Sequence, residues 1–149
     1  MNVQTLFDNM QSHALASARF ASVNTHEPKS APGTHHAALW VQSVSPVPAA
    51  SSLNATTGRV EFKLRIYNNM LSEPMDAIDP DILTATDELL TAYSGDFSLN
   101  GSVRKVDLLG AFGTPLSAQA GYINQDGKLL RVMDITIPLI VNDVWSQTV

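Results

Sequence analysis

The run KLLRVMDITIPLIV, residues 128–141, limits the fold more than any other stretch of this chain. It is β-branched and apolar, and QDG joins it to a second strand-like run, LSAQAGYIN, at residues 116–124. A glycine-bearing turn between two such runs is a hairpin signal. A turn centred on Asp126 sets Tyr122 opposite Leu130 and Leu116 opposite Thr136. Residues from 137 onward then overshoot a partner that begins near Pro115. Pro138 falls in that overshoot. Proline donates no ladder hydrogen bond and is confined to edges, strand starts or bulges. The expectation is therefore a surplus edge at Ile137, Pro138 and Leu139, free to pair with or lie against another chain.

The rest of the chain supplies the partners. Residues 2–22 read as an amphipathic helix, with Val3, Leu6, Phe7, Met10, Ala14 and Ala18 at three- and four-residue steps. Residues 24–36, with two prolines and a glycine, read as a connection. Residues 37–44, AALWVQSV, read as a strand. The segment at 45–58, SPVPAASSLNATTG, carries no charge and reads as a long loop, a kind that is usually functional or mobile. RVEFKLRIYN then alternates: Val60, Phe62, Leu64 and Ile66 face a core, while Arg59, Glu61, Lys63, Arg65 and Tyr67 face water.

A second helix is expected over 79–95, with Asp79 as its N-cap and Pro80 at its first position. Asp81 suits the positive end of the helix dipole. Its apolar face is Ile82, Leu83, Leu89, Leu90 and Tyr93, interrupted by Thr86, and Gly95 is placed to end it in a left-handed cap. SVRKVDLLG adds a short strand, and GAFGTP at 110–115 a turn. The order α-β-β-α-β-β-β gives one α+β domain over residues 1–149. It has an antiparallel or mixed sheet of about four to five strands with both helices on one face.

Charge and composition narrow the function. Only 15% of the 149 residues are charged, against roughly 25% in an average soluble domain. A surface so poor in charge must be covered by small polar groups or by partner proteins, which points towards an oligomer. The net charge of -5 does not suit wrapping nucleic acid by phosphate neutralisation. Cysteine is absent, which suits a reducing compartment. There is no signal-peptide pattern and no apolar run near the ~18 residues of a membrane span, so a soluble protein made in the cytoplasm is expected.

Catalytic patterns are missing from the residues. No cysteine or G-x-S-x-G elbow is present, and GAFGTP is neither a Walker loop nor a dinucleotide fingerprint. His26, His35 and His36 beside Glu27 lack the spacing of a zinc site and read as solvated loop residues. The acidic run Glu73, Asp76, Asp79, Asp81, Asp87, Glu88 and Asp96 lacks the glycine and terminal glutamate of a calcium loop. It reads as helix capping plus a solvated face, or as a docking face for a basic partner. Lys63, Arg65, Arg104, Lys105 and Arg131 lie on strands, where they either pair with Glu61, Asp107 and Asp134 or meet the acidic helix of a neighbouring subunit. Trp145, near the C-terminus, is either a core plug or an interface anchor. No catalytic, cofactor or metal residue is expected.

The second half resembles a tail terminator, or tail completion, protein of a long-tailed, non-contractile bacteriophage. The residues that carry the resemblance are YNNMLSEPMDAIDPDILTATDELLTAYSGDF and VRKVDLLGAFGTPLSAQAGYINQDGKLLRVMDITIPLIVNDVW. Within them are the proline-opened acidic helix, Gly121-Tyr122 in the first hairpin strand, and Asp134 to Pro138 in the last. The resemblance implies a homohexameric ring that caps the tail tube, stops its polymerisation and presents the surface joining the head connector or stopper protein. It implies no catalysis, and DNA passing through the lumen unread. Its place would be the virion neck, reached from the host cytoplasm. An acidic chain suits a lumen that must repel phosphates. A ring needs one patch to meet a different patch, and the edge at 137–139, the acidic helix and the basic strands are such patches. Other readings are a head-completion or stopper protein, a tail-tube subunit, or a small enzyme or ligand-binding domain with a pocket under the second helix.

Overall fold

The computed structural model describes residues 1–16, 20, 22–28, 36–69 and 78–146. Glu73, Asp76 and His35, and the helix expectation at 17–19 and 21, lie outside them. Among the described residues the order is α1 (Val3–Ala16), β1 (Ser22–Asn24), β2 (His36–Pro46), a 3-10 turn (Pro48–Ala50), β3 (Ala55–Asn69), α2 (Ile78–Gly95), β4 (Lys105–Val106), β5 (Ser117–Gln125) and β6 (Lys128–Ser146). The class is α+β, as expected. The expected order lacked β1, because Ser22 and Asn24 were read as helix end and connection.

The sheet runs β1-β2-β3-β6, and the far flank of β6 is shared by β5 and β4. All pairs are antiparallel except β1 with β2. The alternation read in β3 holds on its inner face: Val60, Phe62, Leu64 and Ile66 are buried in one cluster with Met133, Ile135, Ile137, Leu139 and Val141 of β6. Leu6, Met10 and Ala14 of α1 and Ile82, Ala85, Leu89 and Tyr93 of α2 close the same cluster. Burying each large side chain of this kind contributes about 1.5–3 kcal/mol. Phe7 meets Phe62 edge-on with ring centroids 5.1 Å apart, and the Tyr93 hydroxyl donates to the Met10 carbonyl at 2.8 Å, tying the helices together.

Several local expectations change. Leu83 is exposed, while Thr86 is buried and donates its hydroxyl to the Ile82 carbonyl at 2.7 Å, which is how a polar residue sits in an apolar face. Gly95 does not adopt a left-handed conformation. The chain turns left-handed later, at Leu99, Asn100 and Gly101, with φ of 46°, 56° and 80°. The uncharged loop is shorter than 45–58, because β2 runs to Pro46 and β3 starts at Ala55. Its base is tied down by Val47 N–H to the Thr57 carbonyl at 2.8 Å and Thr57 Oγ1 to the Ala50 carbonyl at 2.9 Å. The second face of β3 is less wet than expected, since Arg59 and Tyr67 are buried.

The hairpin register is one residue away from the sequence expectation: Tyr122 faces Arg131, and Ser117 rather than Leu116 faces Thr136. The cause is the turn. Both Asp126 (φ 53°) and Gly127 (φ 73°) are left-handed, so the connection is a two-residue turn centred between them, not on Asp126.

Candidate subunit interface

The proline that suggested a free edge sits instead in the centre of the sheet. β6 pairs with β3 along nearly its whole length, and Pro138 faces Glu61 there. On the other flank β5 ends at Thr136 and β4 begins at Leu139. The Pro138 carbonyl accepts from Asp107 N–H at 2.9 Å on that flank. In a strand a residue's N–H and C=O point the same way, so the missing proline donor faces the junction between β5 and β4. The overshoot past β5 is real, but β4 takes it up. Ile137 and Leu139 are 0% exposed and Pro138 is buried, so these three residues form no contact surface. The short strand expected in SVRKVDLLG is β4, but no local pattern places it beside Pro138.

The basic residues do not form one stripe. Arg65 lies on the outer face, away from the helices, and donates from Nε and an Nη to both oxygens of Asp134 at 2.5 and 3.1 Å. That hydrogen-bonded partner raises the Arg65 pKa, outweighing burial. Its guanidinium also stacks over Trp40 at 5.2 Å. Arg131 lies on the opposite, helix-bearing face. It stacks on Tyr122 at 4.3 Å and pairs with Asp79 of α2 at 3.0 Å. Asp79 thus lies in the first turn of α2, whose first residue is Ile78, and serves Arg131. Arg104 is exposed and reaches Asn142 at 3.4 Å, while Lys105 sits over the Phe112 ring at 5.0 Å. Lys63 has no ion pair among the described residues. It lines an open depression of about 420 Å³ with Thr114, Ser117, Gln119, Asp134 and Thr136. On α2, Asp81 and Asp87 are exposed and Glu88 is half-buried.

Three polar residues that the sequence reading placed in other roles shape this surface. Asp107 is 1% exposed, and its two carboxylate oxygens accept from the N–H groups of Ala111 and Phe112 at 2.8 and 2.9 Å. It therefore organises the GAFGTP turn, and Asp three residues before Gly-Ala-Phe was the available signal. Arg59 lies under that turn. It pairs with Glu61 at 3.0 Å and donates to the Thr114 carbonyl. Asp96 accepts from Asn100 N–H at 3.0 Å and pairs with His13 at 2.9 Å, and the backbone hydrogen bond first, then His13, holds its carboxyl below the usual range.

His36 has both ring nitrogens engaged, Nδ1 with Ser22 Oγ at 2.6 Å and Nε2 with Asn24 Nδ2 at 3.2 Å. Among the described residues no group of three His, Cys, Asp or Glu side chains converges. No described helix is long and apolar enough to cross a membrane.

Exposed apolar residues are spread over the surface, Leu109 on the turn after β4 and Leu83 on α2 among them, and four lie on β2, on the end of β6 and at the tip between β2 and β3. Leu53, at the tip between β2 and β3, is 93% exposed. Trp145, opposite Thr56, is 40% exposed and lies across Gly58, where an added Cβ would meet its ring at 3.1 Å. Val41 and Val44 of β2 are exposed along the adjoining edge. No protein-family model matches the chain, and no curated protein does.

Proposed function

We propose that this chain is a structural subunit of a bacteriophage neck, a tail terminator that forms a ring on the tail tube and joins it to the head connector. The observation that carries the reading is where the charge lies. The central strands β3 and β6 hold Arg59, Glu61, Lys63, Arg65, Lys128, Arg131, Asp134 and Asp143, whereas the flanking strands β2 and β5 contain no Asp, Glu, Lys or Arg and only the two-residue β4 carries a charge, Lys105. Sheets that face water at their edges usually guard them with charge. Here the uncharged edges suit cover by other chains. The resemblance over residues 59–145 names the kind of assembly, and the α+β architecture is compatible with it.

The contact set differs from the one the sequence suggested. Arg65, Arg131 and Asp79 are engaged within the chain, and Ile137, Pro138 and Leu139 are core. The exposed Asp81 and Asp87 are one patch of the proposed head-to-tail contact, with Lys63, Arg104 and Lys105 as the other. The apolar end bearing Leu53 and Trp145 suits docking on the tube or the connector.

Solution mass at micromolar and at higher concentration, followed by negative-stain imaging, tests the reading. Closed rings near six times the 16.1 kDa chain are expected. Open tubes would make it a tube subunit. A monomer that stays single on tube ends, and that a small molecule stabilises against heat, would make it a ligand-binding domain.

A further inference from the structure

We infer that β5 is a self-pairing edge, through which two copies of this chain join their sheets in antiparallel register centred on Gly121. The inference goes beyond the ring reading by assigning one of those uncharged edges, β5, to a second copy of this chain.

The edges of this sheet are not equivalent. β1 is short, and the Val23 carbonyl is taken by Gln11 Nε2 at 2.7 Å. β2 is interrupted where Gln42 has no opposite residue between Val41 and Ser43, and it ends at Pro46. Bulges, short strands and prolines blunt an edge. β5 has none of these. Its register with β6 is unbroken from Ser117–Thr136 to Gln125–Lys128. Ala118, Gln119, Ala120, Tyr122 and Asn124 are exposed.

A two-residue hairpin fixes which way each backbone group points. Gln125 exchanges hydrogen bonds with Lys128, and the bonded pairs alternate from there. Ala118, Ala120, Tyr122 and Asn124 therefore turn their N–H and C=O outward, and among the described residues β5 pairs with β6 alone.

The occupant that fits is a second β5. Alignment on Gly121 sets Ala120 against Tyr122 of the other copy, Ala118 against Asn124 and Gln119 against Ile123. Every outward backbone group then gains a partner. Each Tyr122 ring covers a small Ala120 rather than another ring, and the strand SAQAGYINQ places no like charges opposite each other. Gly121 meets itself in a non-bonded pair, where the Cα atoms approach to about 4.5 Å and a small residue suits best.

The chain has no cysteine, so a single one reports the register. A Cβ at position 121 would meet only Val132 Cγ2 at 3.7 Å, so Gly121→Cys fits the fold. The Cα separation in the self-opposed pair suits a disulfide. Under mild oxidation Gly121→Cys is expected to become mostly covalent dimer. Ala118→Cys alone should not, and Ala118→Cys with Asn124→Cys should. Ala120→Pro removes only an outward N–H, so it should melt within a few degrees of wild type while dimerising roughly tenfold less. Cross-linking of Gly121→Cys no faster than Ser52→Cys in the exposed loop would overturn the inference, as would unchanged dimerisation of Ala120→Pro. Imaging for rings is read separately. Rings that persist without the dimer sink this inference alone, and a dimer without rings sinks the proposed function alone.

Discussion

Tyr93 is 0% exposed, and its hydroxyl serves a single acceptor, the Met10 carbonyl. Tyr93→Phe leaves that carbonyl without its donor and should cost about 1–2 kcal/mol, read as a lower denaturant midpoint at unchanged slope. Burial also pushes the Tyr93 pKa up. A raised folded-state pKa gives stability that is full below the unfolded value near 10 and is lost as pH rises past it. Wild type should therefore weaken above about pH 10, and Tyr93→Phe should weaken less steeply there. Asp107 is the other demanding single residue. Asp107→Ala strips two turn N–H groups of a charged acceptor, with an expected loss of about 2–4 kcal/mol. Gly110 explains why that turn needs its own chemistry. It has φ 74°, and an added Cβ would lie 2.5 Å from the Gly113 carbonyl oxygen.

At the scale of an element, β1 is held to β2 by side chains as well as by its backbone. Its three residues pair in parallel with His36, Ala37 and Ala38, and Ser22 and Asn24 both bond the His36 ring. Asn24 Nδ2 is a donor, so Nε2 must accept, and the neutral ring with its proton on Nδ1 fits both partners. Burial first, then His26, lowers the His36 pKa from its ordinary 6.5. A lowered histidine pKa gives stability that is present above the unfolded value and lost as pH falls below it. Amide protection factors at Ser22–Asn24, taken relative to the intrinsic exchange rate at each pH, should thus be higher at pH 8 than at pH 5, while those of β3 and β6 stay high. Equal protection of β1 at both pH values would count against this role for His36. The same strand escaped the sequence reading because its three residues carry no period, and only the parallel partner makes it a strand.

For the whole molecule, the proposed ring would use the exposed end and the exposed charges for two separate contacts. Leu53 is 93% exposed, so Leu53→Asp should leave thermal stability within about 0.5 kcal/mol of wild type. If the apolar end docks on the tube or connector, that variant should form rings normally but give unjoined or over-long tails in micrographs. Asp81→Lys with Asp87→Lys should do the reverse, keeping the folded monomer while raising the concentration needed for rings. Wild-type rings should also weaken as salt rises through the range where screening shortens to about 8 Å. Rings indifferent to both changes would remove the acidic face of α2 from the head-to-tail contact.

By itself the sequence determined the α+β class, the inner face of β3, the second helix and the existence, though not the register, of the hairpin between residues 116 and 141. Each of these rests on periodicity or turn chemistry carried by adjacent residues, which a chain displays before it folds. Tertiary structure decided which strands flank which. β4 is two residues long, yet it fills the flank beside Pro138 and moves Ile137 to Leu139 from an expected edge into the core. It likewise decided that Arg65 pairs with Asp134 and Arg131 with Asp79, on opposite faces of one sheet. The physical reason is that strand neighbours and ion pairs are fixed by hydrogen bonds and packing between distant segments, and no local pattern encodes their choice.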